Sequence, residues 1–362
     1  MYIFFDNNAT TPILKEVVEA MMIDLDGVPR NPSSITSFGR DGRVKIIKAR
    51  KIIANYLNVY QDEVFFTSGG TESNHTMING FYNRNPGTII TTKIEHASIL
   101  ESIKYTTKNV TYLEVDEGGT PTLKQIENSI TSTTSFIVIS GANNETGVLN
   151  SIEEISDLAN FYNIPLLVDG VALLGKCIFT PLHKNIGAIS FSGHKCHGPK
   201  GIGILVVRKK FNIQPIFRGG NQEMGMRAGT ENLSAILGLS KAFELIDASY
   251  FTYIKTLRDY FENELKKIIS YEINGLGDRI SNTSNIYMPN IDANKLLINL
   301  DQNRVIVSLG SACSSGAINP SHVLLSMGYS KERALSSLRF SFSRLNTKTE
   351  IDKAIFILKK IV

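Results

Sequence analysis

Phe136-Ile137-Val138-Ile139-Ser140, then a series of Ile152, Ile155, Leu158 and Phe161, then Leu166-Leu167-Val168-Asp169 follow one another in the middle of the chain. The two outer runs are short, apolar and bounded by polar residues, as strands buried on both faces are, and the inner series marks one face of a helix. The same alternation extends outward. Val64 to Thr67, Thr88 to Thr91 and Val110 to Val115 precede it, Ala188 to Ser192 and Ile204 to Val207 follow, and Ile46, Ala49, Ile53 and Leu57 mark another helix face. Strands alternating with helices imply an α/β fold, a mainly parallel sheet with helices on both sides.

After Val207 the pattern changes. A Gly-rich connection, Arg218-Gly219-Gly220, leads to two long helical stretches, about Thr230 to Ile246 and Tyr250 to Ile269. Beyond Tyr271, shorter strands (Ser284 to Tyr287, Val305 to Ser308, Leu338 to Phe342) mix with helices (Ala293 to Asp301, Ser321 to Met327, Thr349 to Val362), an α+β unit smaller than the first. With 38 basic and 34 acidic side chains the net charge is only +4, which calls for neither nucleic acid nor an acidic membrane as partner. An apolar content of 42% suits a large buried core and excludes disorder. No run approaches the roughly 20 apolar residues of a spanning helix, and the N-terminus lacks a basic segment followed by an apolar one, so the expected location is cytoplasmic. Cys177, Cys196 and Cys313 lack paired spacing, which leaves a reactive thiol as the role for any cysteine that matters.

Several candidate residues sit just after strands. Thr67-Ser68-Gly69-Gly70-Thr71-Glu72-Ser73-Asn74 opens a helix with small residues, and is either a phosphate-sized anion site or a simple capped turn. Asp169 ends a buried strand, where open α/β sheets hold ligands, and is either a ligand partner, a helix cap or a member of a buried ion pair. Lys195, in Ser192-Gly193-His194-Lys195-Cys196-His197-Gly198, has the setting of a Schiff-base nucleophile; a solvated lysine and a metal cluster of His194, Cys196 and His197 are the alternatives. Cys313, in Ser308-Leu309-Gly310-Ser311-Ala312-Cys313-Ser314-Ser315-Gly316, reads as an accessible, reactive thiol or as an incidental one. His96, Asn144 and Arg339 offer a proton shuttle, hydrogen bonds and a carboxylate grip, or else a cap, a turn and an ion pair. Thr71, His96, Asn144, Asp169 and Lys195 each follow a different strand, so one crevice can collect them all.

Together these segments, with Asp6-Asn7-Asn8-Ala9-Thr10-Thr11-Pro12, Asn31-Pro32-Ser33-Ser34, Asn143-Asn144-Glu145-Thr146-Gly147, Gly198-Pro199-Lys200-Gly201 and Met226-Arg227-Ala228-Gly229-Thr230-Glu231-Asn232, resemble a cysteine desulfurase of the pyridoxal-phosphate (PLP) fold-type I, or class V aminotransferase, family. The resemblance implies that Lys195 holds pyridoxal 5'-phosphate covalently, Asp169 pairs with its ring nitrogen and His96 stacks on the ring. Gly70, Thr71, Ser192 and His194 would hold the phosphate, with Thr230 reaching in from the second subunit of a homodimer. Asn144 would contact cofactor or substrate and Arg339 the carboxylate of L-cysteine. Lys195 would then take the Cα proton and Cys313 the substrate sulfur as a persulfide, with His96 as proton partner and alanine as product. A sulfur-acceptor protein would follow, for iron–sulfur assembly or for thiolation of tRNA or DNA. The large unit would span 13–250, and 1–12 with 251–362 would form the small one carrying the nucleophile loop.

Three features depart from that pattern. Asp169-Gly170-Val171-Ala172 stands where the family has Asp-Ala-x-Gln, so Ala172 lacks the amide that hydrogen-bonds the cofactor's phenolic oxygen. Leu309 replaces a serine, and the chain stops at Val362, short of the extension by which some members dock a scaffold protein. A related PLP lyase or aminotransferase, such as one resembling selenocysteine lyase, is the runner-up; a weakened desulfurase serving as a partner in a sulfur-transfer complex is a third reading. Retention of both Lys195 and Cys313 favours the active desulfurase.

Overall fold

Twelve strands form three sheets among residues 2–177, 185–310 and 319–362, which the computed structural model describes. In chain order they are β1 (Ile3–Phe4), β2 (Val64–Thr67), β3 (Thr88–Thr92), β4 (Val110–Leu113), β5 (Thr134–Ser140), β6 (Leu166–Asp169), β7 (Ile186–Ser192), β8 (Gly203–Val207), β9 (Glu272–Ile273), β10 (Thr283–Tyr287), β11 (Val305–Ile306) and β12 (Ser337–Ser341). The central sheet has the order β2-β8-β7-β6-β5-β3-β4. It is parallel from β4 to β7, as the sequence implies, while β8 runs antiparallel to both β7 and β2. The reversal has a simple cause: residues 193–202, which join β7 to β8, are too few for a crossover, which needs about a dozen residues or more.

Alternate side chains of the sheet feed two cores. Ile137, Ile139, Leu166 and Val168 pack with Ile46, Ile53, Leu57 and Ile155 on one face. Phe136, Val138 and Leu167 pack with Met77, Ile78, Phe81 and Ile99 on the other. With both faces covered, no position of these strands can be polar without cost, which is why they read as unbroken apolar runs. The helix Ser37–Leu57 begins where the Thr36 hydroxyl accepts from Gly39 N and ends at Asn58, whose φ of 52° breaks it.

The C-terminal unit has its own core, centred on Phe5, Phe261, Phe340 and Phe342 between the antiparallel sheet β12-β10-β9 and the helices Ser249–Lys266, Ala293–Gln302 and Lys348–Ile361. The N-terminus joins it, because β1 pairs in parallel with β11. The helix expected from Thr230 starts instead at Leu233, since the Asn232 side chain accepts from Ala235 N and caps it. The helix Lys15–Leu25 has no counterpart in the sequence reading; Val17 is its one buried residue, so no apolar stripe announces it. Among the described residues no helix is long and apolar enough to cross a membrane.

Candidate active site

β5, β6 and β7 stop at Ser140, Asp169 and Ser192, and the helices Gly70–Tyr82 and Ala97–Thr106 start beside them. These ends line a cavity of about 510 Å³, closed from above by Asn8 and Ala9 and by Gly310, Asn319, His322 and Arg339 of the C-terminal unit. It is the crevice at the carboxyl edge of the strands where open α/β sheets bind ligands.

Asp169 is buried, and both its oxygens are held: Asn74 Nδ2 donates to Oδ2 at 2.8 Å and Val171 N to Oδ1 at 2.9 Å. Asn74 also donates to Ser98 Oγ (2.9 Å) and accepts from Ser190 Oγ (2.5 Å). Ser98 in turn meets His96, whose Nδ1 lies 2.8 Å from Ser98 Oγ and accepts from Ser98 N at 3.1 Å. His96 is thereby fixed through Nδ1, and Nε2 has no partner among the described residues. Burial, with the positive charges of Lys195 and His322, pulls its pKa below the usual histidine range against the opposing pull of Asp169. Next to it, Glu95 accepts from Thr92 Oγ1 and Ser140 N, and burial pushes its carboxyl up to about 7.

Lys195 sits in the turn after β7, and its Nζ donates to the carbonyls of Asn8 and of Ala9, the latter at 2.8 Å. His194 faces Thr10 Oγ1 at 3.2 Å, and burial, with Lys195, Lys176 and Lys200, holds it down at about 4. Gly70 and Thr71 begin a helix whose first turn no side chain caps, and a Cβ on Gly70 would meet Val171 Cγ2 at 2.8 Å. Asn143 spends its side chain on an Asx turn with Glu145 N and Thr146 N, leaving Asn144 as the neighbour that lines the cavity. Arg339 is 2% exposed; it pairs with Asp6 at 2.8 Å and donates to the carbonyls of Asn144 and Gly310, while its Nε is buried with no partner among the described residues. Ala172 lines the cavity against Ala142, Leu173 and Ile280, and Leu309 packs on the C-terminal core.

Gly70, Thr71, His96, Asn144, Asp169, Ser192, His194, Lys195 and Arg339 thus all line one cavity. Thr230 does not; it is exposed on the surface. Cys313 lies outside the described residues, but Gly310 before it and Asn319 after it both line the cavity. The metal-cluster alternative fails on geometry: among the described residues no three His, Cys, Asp or Glu side chains are grouped to hold a metal ion, and His197 Nδ1 is 2.8 Å from Pro12 O. The sequence reading assigned nothing to Asn74, Ser98, Lys176 or His322. Asn74 is one turn beyond Thr71 and Ser98 two residues beyond His96, so position relative to flagged residues carried a signal for these two; no local spacing marks Lys176 or His322.

Residues 3–354 match the family Aminotransferase class-V. The chain is 39% identical to "Cysteine desulfurase IscS" of Dictyoglomus turgidum, over 99% of this chain and 94% of that protein. It is 40% identical to "Cysteine desulfurase IscS" of Methanosarcina thermophila, over 99% and 92%. Among solved structures, a "NIFS-LIKE PROTEIN" superposes with a TM-score of 0.93 at 32% identity, covering 100% of this chain and 99% of that one. The structure "SspA in complex with cysteine" gives 0.83 at 31%, covering 95% and 100%. Fold, cavity and kinship agree, and the chain belongs to the class-V aminotransferase family, among its cysteine desulfurases.

Proposed function

We propose that this chain converts L-cysteine to L-alanine with pyridoxal 5'-phosphate as cofactor, passing the sulfur first to Cys313 as a persulfide and then to an acceptor protein. The observation that carries the reading is the convergence of Lys195, Asp169, His96 and Arg339 on one cavity entered by an uncapped helix start.

The donor set suits the cofactor. The N–H groups at Gly70 and Thr71, with Ser192 and His194, suit a phosphate, and the missing Cβ of Gly70 keeps that approach open. Asp169 offers a carboxylate to a protonated ring nitrogen and His96 a flat face to the ring. When bound, the cofactor supplies an electron sink for the carbanion formed at the substrate Cα. Lys195 would anchor the cofactor, and its free amine would take the Cα proton. Arg339 Nε–H receives the substrate carboxylate, Asn144 orients it, and His96 moves a proton at the substrate sulfur through Nε2. The Cys313 thiolate then attacks that sulfur: an S–S bond forms as the C–S bond breaks, and the electron pair left on the three-carbon fragment takes up protons to give alanine.

In this reading residues 13–250 hold the cofactor, while 1–12 and 251–362 bring Arg339 and the nucleophile. The working unit is a cytoplasmic homodimer in which the partner subunit's Thr230 completes the phosphate site. Exposure of Thr230 and of Met22, Ile23, Phe38 and Ile47 on the N-terminal helices supports an interface there. The acceptor serves iron–sulfur assembly or thiolation of tRNA or DNA. The test is production of alanine and sulfide from L-cysteine by the cofactor-loaded protein. Cys313→Ser should keep the visible cofactor absorbance and lose sulfide release; near-normal sulfide from that variant would overturn the mechanism.

A further inference from the structure

Lys176 lines the same cavity as Lys195 and has no part in the steps above. It is 4% exposed, and among the described residues no carboxylate pairs with it. A buried charge without a counter-ion is costly. Burial, reinforced by Lys195 and Arg339, accordingly brings its pKa down to about 7. Its Nζ donates to Asn8 Oδ1 at 3.1 Å, an oxygen that also accepts from Asn282 Nδ2 at 3.0 Å. The main-chain carbonyl of Lys176 accepts from Ser281 N (3.1 Å) and Ser281 Oγ (2.5 Å), so the residue is gripped at both ends.

Asn8 is also where Lys195 rests, since Lys195 Nζ donates to the Asn8 and Ala9 carbonyls. The Asn8 amide donates to Asn144 O at 3.0 Å and Thr283 Oγ1 at 2.8 Å. One asparagine wedged between the two units thus touches both lysines and the Asn144 turn. We propose that Lys176 is a positioning residue for Lys195: through Asn8 it fixes the carbonyl seat of the reactive amine, and as a second amine in one enclosure it is coupled to Lys195 by charge. The inference rests on the reading of Lys195 as the reactive lysine.

Two like charges in one low-dielectric enclosure oppose each other, so a proton on Lys176 favours the neutral, nucleophilic form of Lys195. The other groups facing Lys176 are Arg339, Cys177 and Cys196, and those facing Lys195 include His96 and His194. Arg339 is paired with Asp6, burial pushes both thiols up to about 12, and burial lowers both histidines. Lys176 is therefore a neighbour whose charge changes near neutrality.

The test uses full-length cofactor-free protein: wild type, Lys176→Met and Lys176→Arg. Each is labelled with trace acetic anhydride from about pH 5 to about pH 10, and acetylation of Lys195 is read by peptide mass spectrometry. Methionine removes the opposing charge, so Lys195 keeps its proton to higher pH and its labelling near neutrality falls by roughly three- to tenfold. Arginine makes the charge permanent, and labelling rises by a similar factor. A lysine that merely supported the fold would move both variants the same way. Shifts in one direction, or no shift, overturn the inference; if one variant does not fold, the sign of the other against wild type decides. The underlying reading is tested apart from this, by borohydride trapping of pyridoxal 5'-phosphate on the wild type. A pyridoxyl group on Lys195 upholds it, and one on a different lysine overturns it whatever the acetylation shows.

Discussion

Removing Asn74 should loosen the anion at the centre of the site by a calculable amount. Asn74→Ala deletes a side chain 1% exposed that donates to Asp169 Oδ2 and Ser98 Oγ and accepts from Ser190 Oγ. A hydrogen bond to a charged group contributes about 1.5–3 kcal/mol and the buried Ser190 hydroxyl left without Asn74 costs about 1 kcal/mol, while Ser98 Oγ keeps its contact with His96 Nδ1, so the loss is about 2.5–4 kcal/mol. For a chain of 362 residues, an unfolding entropy of about 2.1 cal/mol/K per residue converts this to a fall in Tm of about 3–5 °C. Scanning fluorimetry with and without pyridoxal 5'-phosphate reads it. The cofactor-bound form should fall further, with affinity weakened about tenfold or more, because among the described residues Asp169 keeps only Val171 N as a hydrogen-bond donor, at 2.9 Å. Asn74→Asp adds a sign. Its carboxyl would face Asp169 at hydrogen-bonding distance, and two such groups share a proton. The introduced acid then holds its proton in the folded state above the unfolded value of about 3.9, so the variant is nearest wild type in acid and loses stability as pH rises. A Tm within about 1 °C of wild type for Asn74→Ala, with unchanged cofactor affinity, would refute the reasoning.

Glu95, raised to about 7 from 4.5, keeps a proton in the folded state that the unfolded chain has lost between those values. Its contribution is full below about pH 4.5 and declines as pH rises through about 7, so Glu95→Gln should flatten that part of the Tm–pH curve; an unaltered slope would count against it. Gly70→Ala places a methyl 2.8 Å from Val171 Cγ2 beside the uncapped helix start, and should weaken cofactor binding about tenfold in an absorbance titration while leaving Tm nearly unchanged. Equal affinities would remove Gly70 from the cradle. Ala172→Gln puts an amide on the cavity wall and should shift the visible absorbance of the bound cofactor; no shift would mean that this wall does not touch the ring.

The central sheet and the crevice are legible in sequence because both rest on local pattern. Apolar runs alternating with helical stripes dictate the parallel strands, and any polar residue just past such a strand lies at the carboxyl edge. That is why Thr71, His96, Asn144, Asp169 and Lys195 come together. The seat of Lys195 is not legible, since it is built from the carbonyls of Asn8 and Ala9, which carry no side-chain signature. Arg339 reads equally as a carboxylate grip or an ion-pair member, and it is placed to be both: Asp6 holds one end of the guanidinium while Nε has no partner among the described residues. Lys176 and His322 escape notice because what makes them interesting is burial or a distant neighbour, and neither is encoded within a turn or two of chain. Thr230 shows the converse limit, a motif residue whose own chain offers it no place in the cavity.

The threading of the first dozen residues bears on how the enzyme is made in the cell. Asn7 N reaches Ser341 O at 3.2 Å, Asn8 N reaches Ser341 Oγ at 2.9 Å, and Ile3 pairs with Val305. At roughly 5–20 residues per second, a ribosome takes roughly 15–70 s to travel from one partner to the other. During that interval Lys195 and Asp169 can already stand on a folded sheet, yet Asn8 lacks its bond to Ser341 and Arg339 has not been synthesised. A nascent or prematurely released chain is therefore chemically mute, and liberation of reactive sulfur waits until translation has brought the strand bearing Arg339 back to the beginning of the polypeptide.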